Sequence, residues 1–177
     1  MPGVCILTSD FSFLGCKGGA GGIQKVYLTE WANLTGVGST FTQASGVITA
    51  WTLATGKKFR TYALDQEIGS FTDPLKYTDE SGAIIYEPSI EFSIKGISNT
   101  LNQEIHLIAK NYLCMIVLDD NGIYWVFGYD KPMHLVSVGR DSGTKFEDFN
   151  GNKLSFKGKD LIPIYQLTGS LITVLTT

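Results

Sequence analysis

An all-β fold, a β-sandwich or barrel carrying one long β-hairpin and one short flanking α-helix, is predicted by three features of the sequence. The first is Lys57 to Gly96, whose two arms, KKFRTYALDQEIGSF and AIIYEPSIEFSIKG, alternate side-chain character with period two. Such alternation marks strands with one face packed and one face wet. The second is LCMIVLDDNGIYWVFGY, two apolar runs around Asn121 and Gly122, since Asn-Gly is the strongest short hairpin signal. The third is composition: twenty glycines are spread among stretches rich in Thr, Ile, Val, Tyr and Phe, which favours strands joined by tight connections.

In chain order, residues 1–22 end in CKGGAGG and read as a flexible or sharply bent arm, because clustered glycine holds neither helix nor strand interior. A phosphate cradle needs such a loop to end in Lys and Ser or Thr at a helix start, whereas here IQKVYLTEW follows with strand character. Ile23 to Trp31 is therefore the first strand. Asn33 to Ser45, rich in Gly, Ser and Thr, reads as a surface loop, and Val47 to Leu53 as the next strand.

The long hairpin, residues 57–96, turns at TDPLKYTDESG and has arms longer than the usual five or six residues. One side of it gathers Asp65, Glu67, Glu87 and Glu91, which calls for a solvated face. Ser98 or Asn99 then caps a helix, TLNQEIHLIAK, with Leu101, Ile105 and Ile108 on one apolar stripe and His106 off it. The DDNG hairpin is apolar on both faces and belongs to the core, so Tyr124, Trp125 and Phe127 read as packing rather than as a stacking platform. HLVSV and KLSFK are further strands, GRDSGTKFEDFNG is a polar excursion, and DLIPIYQLTGSLITVLTT holds two short extended runs, with Pro163 suited to an edge.

A chain of 177 residues, 44% hydrophobic, is enough for one domain, residues 1–177, and too little for two. A net charge of −3 offers no basic field for nucleic-acid phosphates. No run of eighteen apolar residues suggests a membrane span, and MPGVCILTSDFSFLGC lacks the basic and apolar regions of a secretory signal, so a cytosol-like compartment is expected. Cys114 reads as a small buried hydrophobe, while Cys5 and Cys16 are left either as thiols, which a reducing compartment favours, or as a disulfide.

Catalytic signatures are absent: the sequence has two histidines and no GxSxG, HExxH, CxxC, Walker or dinucleotide fingerprint. The turn explains Asp119 and Asp120 without a cation, and alternation explains the four hairpin acids without a glycosidase pair. No catalytic residue, metal site or cofactor is expected.

Several segments together carry a resemblance. They are Cys16 with the Gly18 to Gly22 cluster running into Ile23 and the Tyr27 strand; GKKFRTYALDQEIGSFTDPL; the helix followed by DDNGIYWVFG; and GTKFEDFNGNKLSFKGKDLIPIYQL before Ser170 to Ile172. In these the chain resembles small virion proteins of phages of Bacteroides-like bacteria, themselves similar to phage tail-tube proteins. The resemblance implies a non-enzymatic structural protein of the phage tail or neck, assembled in the host cytoplasm. It further implies a homo-oligomeric ring that contacts other tail, neck or portal proteins and forms part of a channel through which DNA passes without specific binding.

In that setting Asp65, Glu67, Glu87 and Glu91 are the expected acidic lumen face. Phe71, Asp73, Tyr77, Gly19, Gly21, Gly22 and Phe41, from the arm, the loop and the hairpin tip, are the expected contacts between subunits. The alternative is a β-sandwich capsid decoration or glycan-binding module using Trp31, Trp51 or Trp125.

Overall fold

The computed structural model describes residues 21–177 except 66, 67, 80, 81 and 146. Gly19, Glu67, Cys5, Cys16 and most of the N-terminal arm lie outside the described residues. The fold is all-β, with two short α-helices beside three sheets among the described residues.

Seven strands form the larger sheet, in the order β2 (Thr40–Ala44), β3 (Val47–Thr52), β13 (Tyr165–Leu167), β10 (Tyr124–Phe127), β9 (Leu113–Asp119), β1 (Ile23–Glu30) and β4 (Arg60–Ala63). A second sheet has the order β11 (His134–Asp141), β12 (Gly151–Lys157), β8 (Ser89–Lys95) and β5 (Gly69–Thr72). The two sheets pack face to face. Val26, Leu28, Met115, Val117 and Phe127 of the first meet Ile90, Phe92, Leu154 and Phe156 of the second in one buried cluster.

The other face of the larger sheet has its own core, in which Tyr27, Cys114, Ile116 and Val126 pack with Ile48, Trp51, Phe59 and Leu175. β9 separates the two cores, which is why LCMIVLD is apolar on both faces and buried throughout. The DDNG hairpin closes as its sequence requires: Asp119 Oδ1 accepts the N–H groups of Asn121 and Ile123 at 2.9 and 2.8 Å, and Gly122 takes the left-handed conformation at φ 82°.

Helix α1 (Asn99–Lys110) starts where expected, with Ser98 Oγ accepting the Leu101 N–H at 3.1 Å. Its stripe enters the first core through Ile105 and Ile108, with Leu101 packed against them, while His106 is exposed.

The structure departs from the sequence reading in four places. The expected loop 33–45 holds a 3₁₀ turn (Trp31–Leu34) and strand β2, because pairing with β3 compensates for weak local propensity. The last expected extended run is instead helix α2 (Leu171–Thr176), seated by Leu175, whose carbonyl accepts the Phe59 N–H at 2.8 Å. Pro163 precedes an interior strand, β13, rather than occupying an edge. The long hairpin, finally, is shared between sheets: β4 leaves its expected partner and pairs with β1, from Lys25 opposite Ala63 to Leu28 opposite Arg60.

The rest of the hairpin keeps one register. Gly69 faces Phe92 and Thr72 faces Ser89; beyond them β6 (Leu75–Thr78) faces β7 (Ala83–Tyr86), with Leu75 opposite Tyr86 and Thr78 opposite Ala83. The paired numbers sum to 161 on both sides of the interruption at Asp73-Pro74 and Glu87-Pro88, so this is one ribbon whose ladder the prolines thin without shifting it.

Candidate assembly surface

Four residues lie level across the four-stranded sheet: His134 faces Lys157, Lys157 faces Ser89, and Ser89 faces Thr72. All the strands of that sheet end at this line except the ribbon, which runs on through β6 and β7. No strand of the seven- or four-stranded sheet pairs with the extension.

A short segment after β12 clasps its root. Tyr86 and Asp160 exchange backbone hydrogen bonds at 2.9 Å, Gly158 N–H donates to Pro88 O at 3.0 Å, and Ile164 N–H donates to Asp73 Oδ2 at 3.3 Å. Burial pushes the Asp73 carboxyl above the usual carboxylate range, the Ile164 N–H opposes this, and Asp160 adds to it. Burial likewise raises Asp130, whose carboxylate is hydrogen-bonded by Tyr165. No local pattern signals this clasp, since its members come from three separate segments.

The backbone of the β5–β6 side is open. Glu87 N–H donates to Pro74 O and Ser93 N–H donates to Ile68 O, so the even-numbered residues of this arm face its partner arm. Gly69, Phe71, Asp73, Leu75 and Tyr77 therefore turn their N–H and C=O groups outward, where no backbone partner meets them among the described residues. Because Pro74 is even-numbered, its missing N–H falls on the inner side and leaves the outer row of donors intact. At the opposite edge of the same sheet β11 likewise has no strand partner on its outer side among the described residues.

The outward face of the sheet is small and polar. Ser70, Glu91, Ser93, Ser137, Gly139, Lys153 and Ser155 line a shallow depression of about 660 Å³ across all four strands. Glu91 Oε1 accepts the Ser155 hydroxyl at 3.0 Å, and Lys153 lies over the Phe149 ring, 5.5 Å from its centroid.

The three described acids of the expected lumen face do lie along this side, but with lysines beside them. Asp65 pairs with Lys95 at 2.5 Å; Glu87 pairs with Lys76, and with Lys159 at 3.5 Å. The Lys76 hydrogen bond holds Glu87 below the usual carboxylate range, with Lys159 contributing less. The face is thus mixed in charge, not uniformly acidic.

The expected contact residues separate into two groups. Phe41 is half-buried, stacked on Tyr129 at 3.7 Å between centroids and edge-on to Trp51, and so packs on the second core. Phe71 packs on Phe127 at 5.4 Å and is likewise half-buried. Tyr77 is 62% exposed, and a side chain at Gly21 would meet open space, whereas one at Gly22 would strike Asp120.

Of the three tryptophans of the glycan alternative, only Trp31 is exposed. Trp51 is fully buried, Trp125 packs against the first core with its indole N–H on Asp119 Oδ2, and the exposed Trp31 donates its own to Tyr129 O at 2.8 Å. Burial raises the Cys114 thiol well above its ordinary value. Among the described residues no three metal-ligating side chains come together, and no helix is long and apolar enough to cross a membrane. Comparison with protein-family models, with curated proteins and with solved structures finds no match to this chain.

Proposed function

We propose that this protein is a non-enzymatic ring-forming subunit of a phage tail or neck, and that its four-stranded sheet is the repeating unit of a closed β-barrel around a channel for DNA. The observation that carries this reading is that, among the described residues, the sheet is open at both ends, at β5–β6 and at β11, with the strand order β11-β12-β8-β5 antiparallel throughout. A copy placed beside β5 presents its β11 in the antiparallel sense. Head-to-tail repetition about an axis satisfies both edges and leaves none exposed.

On this reading the hydroxyl-rich outward face lines the channel. Lysines there share the surface with Glu91, Asp65 and Glu87, so DNA passes a face of serine hydroxyls and mixed charge rather than a wall of carboxylates. Contacts with other tail, neck or portal proteins fall to the rims of the ring.

The experiment is size-exclusion chromatography with light scattering over a range of concentrations, followed by negative-stain imaging. The reading expects ring-shaped species with a central opening; a protein that remains monomeric throughout overturns it.

A further inference from the structure

The inner side of the ribbon shows what kind of surface must cover it. Phe71 and Ile90 continue the inner, apolar face of the sheet, and residues of the same parity beyond the prolines are Leu75, Tyr77, Ile84 and Tyr86. Leu75, Tyr77 and Ile84 are 53%, 62% and 48% exposed. A two-stranded hairpin alone is marginal in water, and an apolar patch on one marks an interaction surface.

At the other edge of the same sheet, and on the same inner side, α1 and β11 leave a groove of about 420 Å³. Its walls are Asn102, Ile105, His106 and Ala109 from the helix, with Val138 and Arg140 from the strand. Val138 is exposed there, and the amide oxygen of Asn102 is buried without a hydrogen-bond partner. Both surfaces are thus unfinished parts of one layer, the layer beneath the four-stranded sheet.

We infer that Leu75 and Tyr77 of one copy lie over the α1–β11 groove of the next, with Ile84 beside them. This rests on the ring reading above and specifies its contact. The barrel's own geometry supports it. Strands in a closed barrel tilt by about 35–45°. Four strands at ~4.8 Å span about 19 Å, so successive sheets are offset along the strands by roughly 13–19 Å, or about four to six residues.

The ribbon outruns its sheet by Asp73 to Thr78, six positions, which is the overlap such an offset needs. With it, β6 runs alongside the neighbour's β11 instead of past its end. Two ribbons meeting tip to tip would instead leave both the groove and the β11 edge uncovered.

The test places p-benzoylphenylalanine at position 75 of the full chain, mixes isotope-labelled with unlabelled protein under assembling conditions, irradiates, and maps crosslinked peptides by mass spectrometry. The expected result is a crosslink between copies from position 75 to Asn99–Lys110 or His134–Asp141. Crosslinks to another ribbon or to the seven-stranded sheet overturn the inference. As a second measurement, Ala109→Glu and Val138→Asp alter exposed groove residues; each is expected to raise the half-assembly concentration about tenfold or more with an unchanged far-UV spectrum. If rings form at the wild-type concentration in both variants, the docking mode is wrong and the ring reading stands. A wild-type protein that never assembles removes both.

Discussion

Thr72 and Ser89 face each other on the last rung that the four-stranded sheet completes, their hydroxyl oxygens 2.8 Å apart. On one side of that rung each strand has sheet neighbours; on the other, the two arms pair with each other and are held at their root by Gly158, Asp160 and Ile164.

Tyr77→Pro tests the open edge with least disturbance to the monomer. The N–H it removes points outward and has no partner among the described residues, so the ribbon's own ladder loses no bond. Unfolding stability is expected to change by less than about 0.5 kcal/mol, the usual range for a surface substitution. Assembly, read by light scattering, is expected to be lost.

Asp73→Asn tests the clasp through pH. Burial raises the folded carboxyl above its unfolded value, so the folded chain binds protons more readily, and the charged form costs stability as pH rises out of the carboxylate range. Asparagine retains an acceptor for the Ile164 N–H and carries no charge. The variant is expected to melt above the wild type at neutral pH, with the gap closing as pH falls to the ordinary carboxylate value. Thermal melts across that interval decide it; a gap independent of pH refutes the assignment.

Trp51→Ala is expected to cost about 3–5 kcal/mol in urea denaturation, the usual loss when a large aromatic leaves a core. Trp51 makes edge-on contacts with Phe59 at 5.4 Å, Tyr129 at 5.5 Å and Phe41 at 5.9 Å, all of which the truncation removes. Trp51→Phe is expected to cost much less, because the indole N–H it removes is buried without a partner.

Gly128→Ala is expected to destabilise by about 1–3 kcal/mol, from a left-handed φ of 76° and from crowding. A methyl there would sit 2.8 Å from Leu113 O and 2.9 Å from Met133 N, the two residues bridged beside it. Equilibrium denaturation measures the loss.

Elements whose signal is local were legible in the sequence. Ser98 caps its helix, Asn-Gly turns its hairpin, and the doubly apolar β9 lies between two cores, each fixed by neighbours close in the chain. What was not legible depends on distant partners. The alternation of Arg60 to Ala63 is right for a strand, yet nothing in it specifies β1 as the partner.

Residues 171–176, LITVLT, are rich in extended-chain formers and become helical because Leu175 has a pocket to fill. The described acids show the same limit at the site: their shared side follows from period two, while Lys76, Lys95 and Lys159, which pair with Glu87 and Asp65, arrive through tertiary structure.

Since β9 forms the floor of one apolar layer and the ceiling of the other, neither layer can melt while its companion stays intact. Heating should therefore yield a single cooperative calorimetric peak, and the amides of Met115 to Val117 should be among the last to exchange with solvent, whatever happens at the ribbon.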